Sequence, residues 1–418
     1  MRQFLPLRRA AAAGAVLFIC ATGCAGGESN SPEGSGGSPG TGGSGPTTGT
    51  GGSDVSATGG SPATGGRVGS GGGGPAGAIG TGGSGRGGAG GGSAGGRGGS
   101  AGGRGGSGGS AGATGRAGST GTPGMYKVEF VGNITTNEQV DTNGKTFSKY
   151  WDQISPENAG KWGSVQSTAS GSFNWKTLDA IHDYTTKNNI IFKEHNFIWG
   201  SQQPSGTIGQ TQVQAWMSAF CQRYPDTKLI DVVNEPPPHT TPSYANNIGG
   251  GTNGDWKWIA NAFTWARQAC PDAILILNDY NNIEWSTDQS HFISIVKAIK
   301  TLNAPIDAVG AQAHDLDHGS PITPTTVSSM LTTLAQQTGL PIYITEMDLS
   351  YTDDNQQLQA YQSYFPLLRD SGYVKGITIW GWIYGSTWSQ APNSGLIKNG
   401  TFRPAMTWLM QQLGRPTN

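Results

Sequence analysis

The sequence predicts an α/β protein: a (β/α)8 TIM barrel over residues 125–418, preceded by a signal peptide and a long disordered Gly/Ser-rich linker. Three observations lead there. Gly supplies 46 of the 100 residues from 25 to 124, whereas all 13 Trp and all 12 Tyr of the 418-residue chain come later. The later part is about as long as one such barrel usually is. Within it, short β-rich runs alternate with amphipathic helical stretches.

Residues 1–24 read as an export signal of the lipoprotein type. Arg2, Arg8 and Arg9 precede an apolar run over 10–19, too short to span a bilayer, and then Ala21-Thr22-Gly23-Cys24. Small residues before a Cys make Cys24 the expected lipidation site, with simple secretion as the alternative. Residues 25–124 lack Phe, Tyr, Trp, Lys and Cys. Such a segment cannot offset chain entropy by apolar burial, and Gly does not recur strictly every third residue, which excludes collagen. As a flexible coil it spans about 50–60 Å root-mean-square and would hold the folded domain away from a membrane surface. Its Gly91-Gly92-Ser93-Ala94-Gly95 imitates a nucleophile elbow, but no strand precedes it and no helix follows. The net charge is +3 on the first 24 residues and +2 on the tether, which leaves −6 for 125–418 in a chain of −1. A mildly acidic domain suits a neutral substrate and argues against a nucleic-acid partner.

Eight candidate strands follow, at 128–131, 152–155, 190–194, 229–233, 273–277, 308–311, 342–345 and 376–379. Apolar stripes mark helices between them: Val213, Trp216, Met217 and Phe220; Trp256, Ile259, Ala260 and Phe263; Phe292, Val296 and Ile299. A doubly wound sheet competes, but no Gly-rich phosphate loop follows the first strand. Cys221 and Cys270, near the ends of consecutive helices, either pair in an oxidising compartment or stay as two buried thiols. His314-Asp315-Leu316-Asp317-His318 matches no common zinc spacing, and no cofactor or metal is expected.

Chemistry is sought where polar residues end apolar strands. The fourth candidate strand runs into Asn234-Glu235 and the seventh into Glu346. In an eight-membered barrel these strands face each other across the mouth. A carboxyl pair so placed suits glycoside cleavage: one group protonates the leaving oxygen, and the other attacks or activates water.

Seven blocks in chain order resemble the catalytic barrel of glycoside hydrolase family 10, the endo-β-1,4-xylanase family. They are Ser155-Pro156-Glu157-Asn158-Ala159-Gly160-Lys161-Trp162, His195-Asn196-Phe197-Ile198-Trp199-Gly200-Ser201-Gln202, Asp231-Val232-Val233-Asn234-Glu235, Asn278-Asp279-Tyr280-Asn281, Gly310-Ala311-Gln312-Ala313-His314, Ile344-Thr345-Glu346-Met347-Asp348, and Ile379-Trp380-Gly381 with Trp388 beyond. The resemblance implies a monomer that hydrolyses internal xylan linkages with retention of configuration. It makes Glu235 the acid/base and Glu346 the nucleophile. Asn234 would bond the sugar 2-hydroxyl. His314 would bond Glu346, Asp348 would orient His314, and Gln312 would sit near Glu346. Glu157, Asn158 and Lys161 would bind the non-reducing-side sugar. His195, Trp199 and Gln202 would line the cleaved bond, with Tyr280, Trp380 and Trp388 as further substrate-binding residues.

Three departures from the family pattern fall at the cleft edge. Gly200 stands where a second His is common, Ser205 follows Gln203-Pro204 where Trp is common, and Pro236-Pro237-Pro238 replaces a smaller residue. Two rivals stand beside the xylanase reading: a related retaining glycosidase acting on β-glucan, and a non-catalytic carbohydrate-binding barrel. The product would be exported, either as an outer-membrane or cell-surface lipoprotein or as a secreted protein.

Overall fold

The computed structural model describes residues 126–251, 254–316 and 319–418. The expected signal peptide, Cys24 and the linker lie outside the described residues. Eight parallel strands, β1 (Phe130–Ile134), β2 (Gln153–Ser155), β3 (Ile191–Ile198), β4 (Leu229–Asn234), β5 (Ile274–Asp279), β6 (Ala308–Ala311), β7 (Ile342–Met347) and β8 (Val374–Ile379), close a barrel in sequence order. The helices are α1 (Trp162–Val165), α2 (Lys176–Asn188), α3 (Gln210–Arg223), α4 (Lys257–Ala269), α5 (Ser286–Thr301), α6 (Pro324–Thr338), α7 (Asp354–Arg369) and α8 (Pro404–Leu413). A small hairpin, β9 (Ile397–Lys398) and β10 (Thr401–Phe402), precedes α8.

Each expected strand has its counterpart, the first starting two residues later and running to Ile134. The first crossover departs from the repeating strand–helix unit: a 3-10 turn, Phe147–Lys149, stands there. Residues 135–146 explain why. They are polar, with Asn137, Glu138, Asn143 and Gly144 at positive φ, and the Asp141 carboxylate accepts from the Phe147 amide. A stretch without an apolar stripe has no face with which to dock as a helix.

The floor of the barrel is apolar. Phe130, Leu229, Ile276, Ala308 and Tyr343 pack there, with the Phe130 and Tyr343 rings stacked at 6.0 Å. Gly376 makes this possible, since a Cβ on it would lie 2.2 Å from the Phe130 ring. Above the floor the inward side chains turn polar: Gln153 accepts from the Thr378 hydroxyl at 2.8 Å, and Lys193 pairs with Asp231. Two fully buried charges are tolerable only when paired. The helices cover the outside with the expected stripes: Trp216, Phe220, Phe263 and Val296 are fully buried. Trp256, Trp258 and Trp265 are also buried in the core. Cys221 and Cys270 form a disulfide, with Cα atoms 5.4 Å apart, joining the C-terminal ends of α3 and α4 below the mouth.

Candidate active site

The polar residues gather at the C-terminal ends of the strands. Register shifts lie where they are needed: between His195 and Ile198 on β3, between Asp231 and Val233 on β4, and between Ile344 and Met347 on β7. Strict alternation would send neighbouring residues to opposite faces; a bulge re-aims a side chain toward the barrel axis.

Glu346 is buried in a polar cage. Its Oε1 accepts from Asn278 Nδ2 at 2.7 Å, and its Oε2 lies 3.4 Å from His314 Nε2. His195 Nδ1 stands 2.9 Å from Asp231 Oδ2 and 3.9 Å from Glu346 Oε1. Burial alone would push the Glu346 carboxyl up. The electrostatic pull of His195, the bond and charge of His314, and Lys193 behind them hold it down to about 2. A carboxylate so held stays ionised and oriented. His314 is kept in place by Asp348, whose Oδ1 is 3.0 Å from Nδ1, and Trp388 Nε1 in turn donates to Asp348 Oδ2 at 2.8 Å. Burial would lower the His314 imidazolium, but Asp348 and Glu346 raise it well above the ordinary histidine value. Burial raises the Asp348 carboxyl against the pull of His314.

Glu235 sits differently. It follows the end of β4 at φ +50°, a conformation that costs a side-chain-bearing residue roughly 1–3 kcal/mol unless its surroundings impose it. They do: its amide donates to the Asn278 carbonyl at 2.8 Å, and its carbonyl accepts from the Thr240 amide at 3.1 Å and hydroxyl at 2.7 Å. Its carboxyl is half-buried and meets neutral donors. Trp199 Nε1 gives to Oε2 at 2.8 Å; Asn234 Nδ2 and Gln312 Nε2 give to Oε1 at 3.1 and 3.3 Å. Gln312 is therefore a correction. It was expected beside Glu346, but its amide reaches Glu235 and also Asn234 Oδ1 at 3.2 Å. Asn278 and His314 already meet the Glu346 carboxylate, and the long Gln312 side chain, just after β6, reaches past β5 to the end of β4 instead.

Asn278, not singled out as a site residue from sequence, ties the two halves together. Its Nδ2 donates to both Asn234 Oδ1 and Glu346 Oε1 at 2.7 Å, and its Oδ1 accepts from Thr345 Oγ1 at 2.6 Å. Gly310 on β6 leaves the room it needs: a Cβ there would meet Asn278 Oδ1 at 2.3 Å. A glycine inside a strand often marks such a close approach.

On the β2 and β3 side, Lys161 Nζ donates to Asn158 Oδ1 at 3.1 Å, Gln202 Nε2 lies 3.4 Å from the same oxygen, and the Lys161 ammonium stands 4.8 Å from the Trp199 ring centre. Gln202 thus joins the Asn158 group. Glu138 Oε1 accepts from the Asn158 amide at 2.8 Å, which makes it a supporting residue that no motif revealed. Burial, with Glu138 beside it and Lys161 opposing, pushes the Glu157 carboxyl up to about 7. Burial lowers the Lys161 ammonium against the pull of Glu346, Glu157 and Glu235. Trp380 stands edge-on to the His195 ring at 5.2 Å, and Trp388 packs on the His314 ring at 4.8 Å.

The sequence departures turn out to be coupled. A Cβ at Gly200 would lie 2.7 Å from Thr240 Cβ and 2.9 Å from the Thr241 amide. The space a larger residue would occupy at position 200 is taken by the segment that follows Pro236-Pro237-Pro238. That segment brings His239 against Asp279, with Nδ1 2.7 Å from Oδ1, and over Tyr280, with ring centres 3.8 Å apart and planes 15° from parallel. Burial raises the Asp279 carboxyl to about 7 against the pull of His239. His239 was not picked out beforehand, because the proline run hides where the chain returns.

Residues 124–412 match the family described as "Glycosyl hydrolase family 10". The protein named "Endo-1,4-beta-xylanase B" of Cellvibrio japonicus is 45% identical over 290 residues, covering 68% of this chain and 45% of that protein. The chain thus spans about half the length of that relative. An "Endo-1,4-beta-xylanase B" of Thermotoga neapolitana is 29% identical over 254 residues, 56% of this chain and 71% of that protein. Among solved structures, "A psychrophilic glycoside hydrolase family 10 endo-beta-1,4-xylanase" superposes with TM-score 0.59 at 26% identity, covering 68% of this chain and 96% of the other. The structure titled "Structure of GH10 from Paenibacillus barcinonensis" shares the fold, with TM-score 0.59 at 22% identity over 71% of this chain and 99% of the other.

Proposed function

Since the chain belongs to glycosyl hydrolase family 10, we propose that it is an endo-β-1,4-xylanase that hydrolyses internal xylan linkages by retaining double displacement. The observation that carries the reading is the contrast between two glutamates in one hydrogen-bond network: Glu346 held ionised near His314 and His195, and Glu235 met by neutral donors.

In the first step the Glu346 carboxylate attacks the anomeric carbon while the bond to the leaving oxygen breaks and Glu235 gives that oxygen its proton. In the second, Glu235, now a carboxylate, takes a proton from water, whose oxygen attacks the same carbon and releases Glu346. Two inversions give retention. Asn234, whose Nδ2 lies 3.1 Å from Glu235 Oε1, would bond the sugar 2-hydroxyl, a contact that tightens as charge develops. Glu157, Asn158, Lys161 and Gln202 form a polar set for the sugar upstream of the cleaved bond; the partly exposed Trp388 offers ring surface to the apolar face of a pyranose, while Trp380, 3% exposed, backs His195 at the base of the cleft.

Similarity to the Cellvibrio japonicus protein favours xylan over β-glucan as substrate. Reducing-sugar release from xylan and from carboxymethyl-cellulose tests this: xylan is expected to be the better substrate by a wide margin, and equal or greater release from the cellulose derivative would sink the xylanase reading. Export, lipidation at Cys24 and a monomeric state belong to the same proposal. They rest on the basic and apolar start of the chain followed by Ala21-Thr22-Gly23-Cys24 and on the family resemblance. Mass spectrometry of the mature N-terminus, expected to find an acylated Cys24, and sizing in solution test them. An unprocessed start at Met1 would refute export, and a dimer by sizing would refute the monomer.

A further inference from the structure

The segment from Pro236 to Thr240 carries a feature that the two-glutamate mechanism does not use. The His239 side chain is largely enclosed, 11% exposed. Its Nδ1 meets Asp279 Oδ1, and the same oxygen accepts from the Tyr280 amide at 3.0 Å. Its Nε2 faces Asp288 Oδ1 at 3.8 Å. Its ring lies flat on Tyr280. The other end of the segment is clamped to the main chain of Glu235 through Thr240, and the His239 amide closes a turn on the Pro236 carbonyl at 3.2 Å. From α5, His291 Nε2 meets the Pro237 carbonyl at 2.9 Å. One short, braced segment thus links the backbone of Glu235 to the ring of Tyr280.

The place of Tyr280 in the barrel gives this link a meaning. In a closed ring of eight strands, β5 lies opposite β1. The polar set Glu157, Asn158, Lys161 and Gln202 follows β2 and β3. A sugar chain held there and passing between Glu235 and Glu346 leaves the mouth over the loops after β5 and β6. Tyr280 is half-buried, with the His239 ring against one face and some of its surface still open. A pyranose presents an apolar C–H face to such a ring.

We infer that His239 is a positioning residue for the leaving-group side of the cleft: bonded to Asp279 and stacked on Tyr280, it fixes the tyrosine ring as the platform for the sugar that departs with the proton of Glu235. The inference rests on the glycosidase reading above. It also explains why Gly200 and the proline run occur together, since the segment that carries His239 occupies the space beside Gly200. Preorganising a ring lowers the ordering cost that a bound sugar would otherwise meet.

The test compares kcat/KM on a xylo-oligosaccharide, which needs a sugar on both sides of the cleaved bond, with kcat/KM on an aryl β-xylobioside, which places no sugar on the leaving side. For His239→Ala the ratio of the two is expected to fall about five- to tenfold. His239→Phe, which retains a ring over Tyr280, is expected to recover most of that ratio. In the His239→Ala background, Tyr280→Ala should add little further loss on the oligosaccharide. Losses of equal size on both substrates, or no loss on the oligosaccharide, would overturn the inference, as would a His239→Phe ratio as low as that of His239→Ala. If His239→Ala does not fold, His239→Asn is read the same way. A wild-type chain inactive on both substrates would instead count against the glycosidase reading itself.

Discussion

Glu346 and Glu235 are the same residue at the ends of opposed strands, yet their surroundings differ in kind. Around Glu346 the protein assembles charge: Lys193 and Asp231 in the barrel interior, His195 beside them, and the His314–Asp348 pair at the rim. Around Glu235 it assembles an indole and two carboxamides, on a turn held at positive φ. The lesson is that role follows from environment. A carboxylate required to stay ionised is set among cations. One required to pass a proton back and forth is placed where neither protonation state has a fixed countercharge in direct contact.

Removing each carboxylate should expose that difference most strongly. Glu346→Gln is expected to lower kcat on xylan by about 10⁴-fold or more, with an unchanged circular-dichroism spectrum. Glu235→Gln should cost about 10²–10⁴-fold on xylan, much less for formation of the glycosyl-enzyme from a substrate whose aryl leaving group needs no proton. Similar losses for both variants on both substrates would erase the distinction.

The cationic cage is the next point to test. His314→Asn takes away the bond and charge that lower Glu346. Because Glu346 must be ionised to attack, activity is lost as pH falls through its pKa. The acid limb of the kcat/KM profile should therefore move to higher pH by about one unit or more. An unmoved limb would mean that His314 does not set the ionisation of Glu346.

Glu157 offers a smaller, opposite case, raised to about 7 rather than lowered. Below that pH the neutral carboxyl makes ordinary hydrogen bonds; above it a carboxylate accepts stronger, charge-assisted ones from sugar hydroxyls. KM for xylan should fall as pH rises through about 7, and Glu157→Gln should flatten that dependence and raise KM. A dependence that persists in the variant would assign it elsewhere.

The disulfide marks a region below the mouth where no effect on this chemistry is expected. Replacing Cys221 and Cys270 with Ser, 49 residues apart, should cost stability, about 4 kcal/mol in the chain-entropy model, read as a lower urea midpoint. The pH profile of the folded enzyme should not move.

Much of this was legible in the chain. The β4 and β7 runs Leu229-Ile230-Asp231-Val232-Val233 and Ile342-Tyr343-Ile344-Thr345 show as strands because both faces are buried, and a Glu one or two residues after such a run stands out. The three register shifts that aim His195, Glu235 and Glu346 were not legible, because a bulge leaves no compositional trace when Val follows Val. Gln312 was placed beside the wrong carboxylate because strand adjacency says little about where a long amide reaches. His239 and Asn278 were missed as working residues for a related reason: their partners lie 40 or more positions away, on other strands.

The most direct test of the central assignment, Glu346 as a nucleophile rather than a base for water, is proton NMR of the anomeric signals in the first moments of xylo-oligosaccharide hydrolysis. The β-anomer of the new reducing end should appear first and convert to α only by slow mutarotation. An α-anomer appearing first would mean direct attack by water, and the covalent role of Glu346 would be wrong.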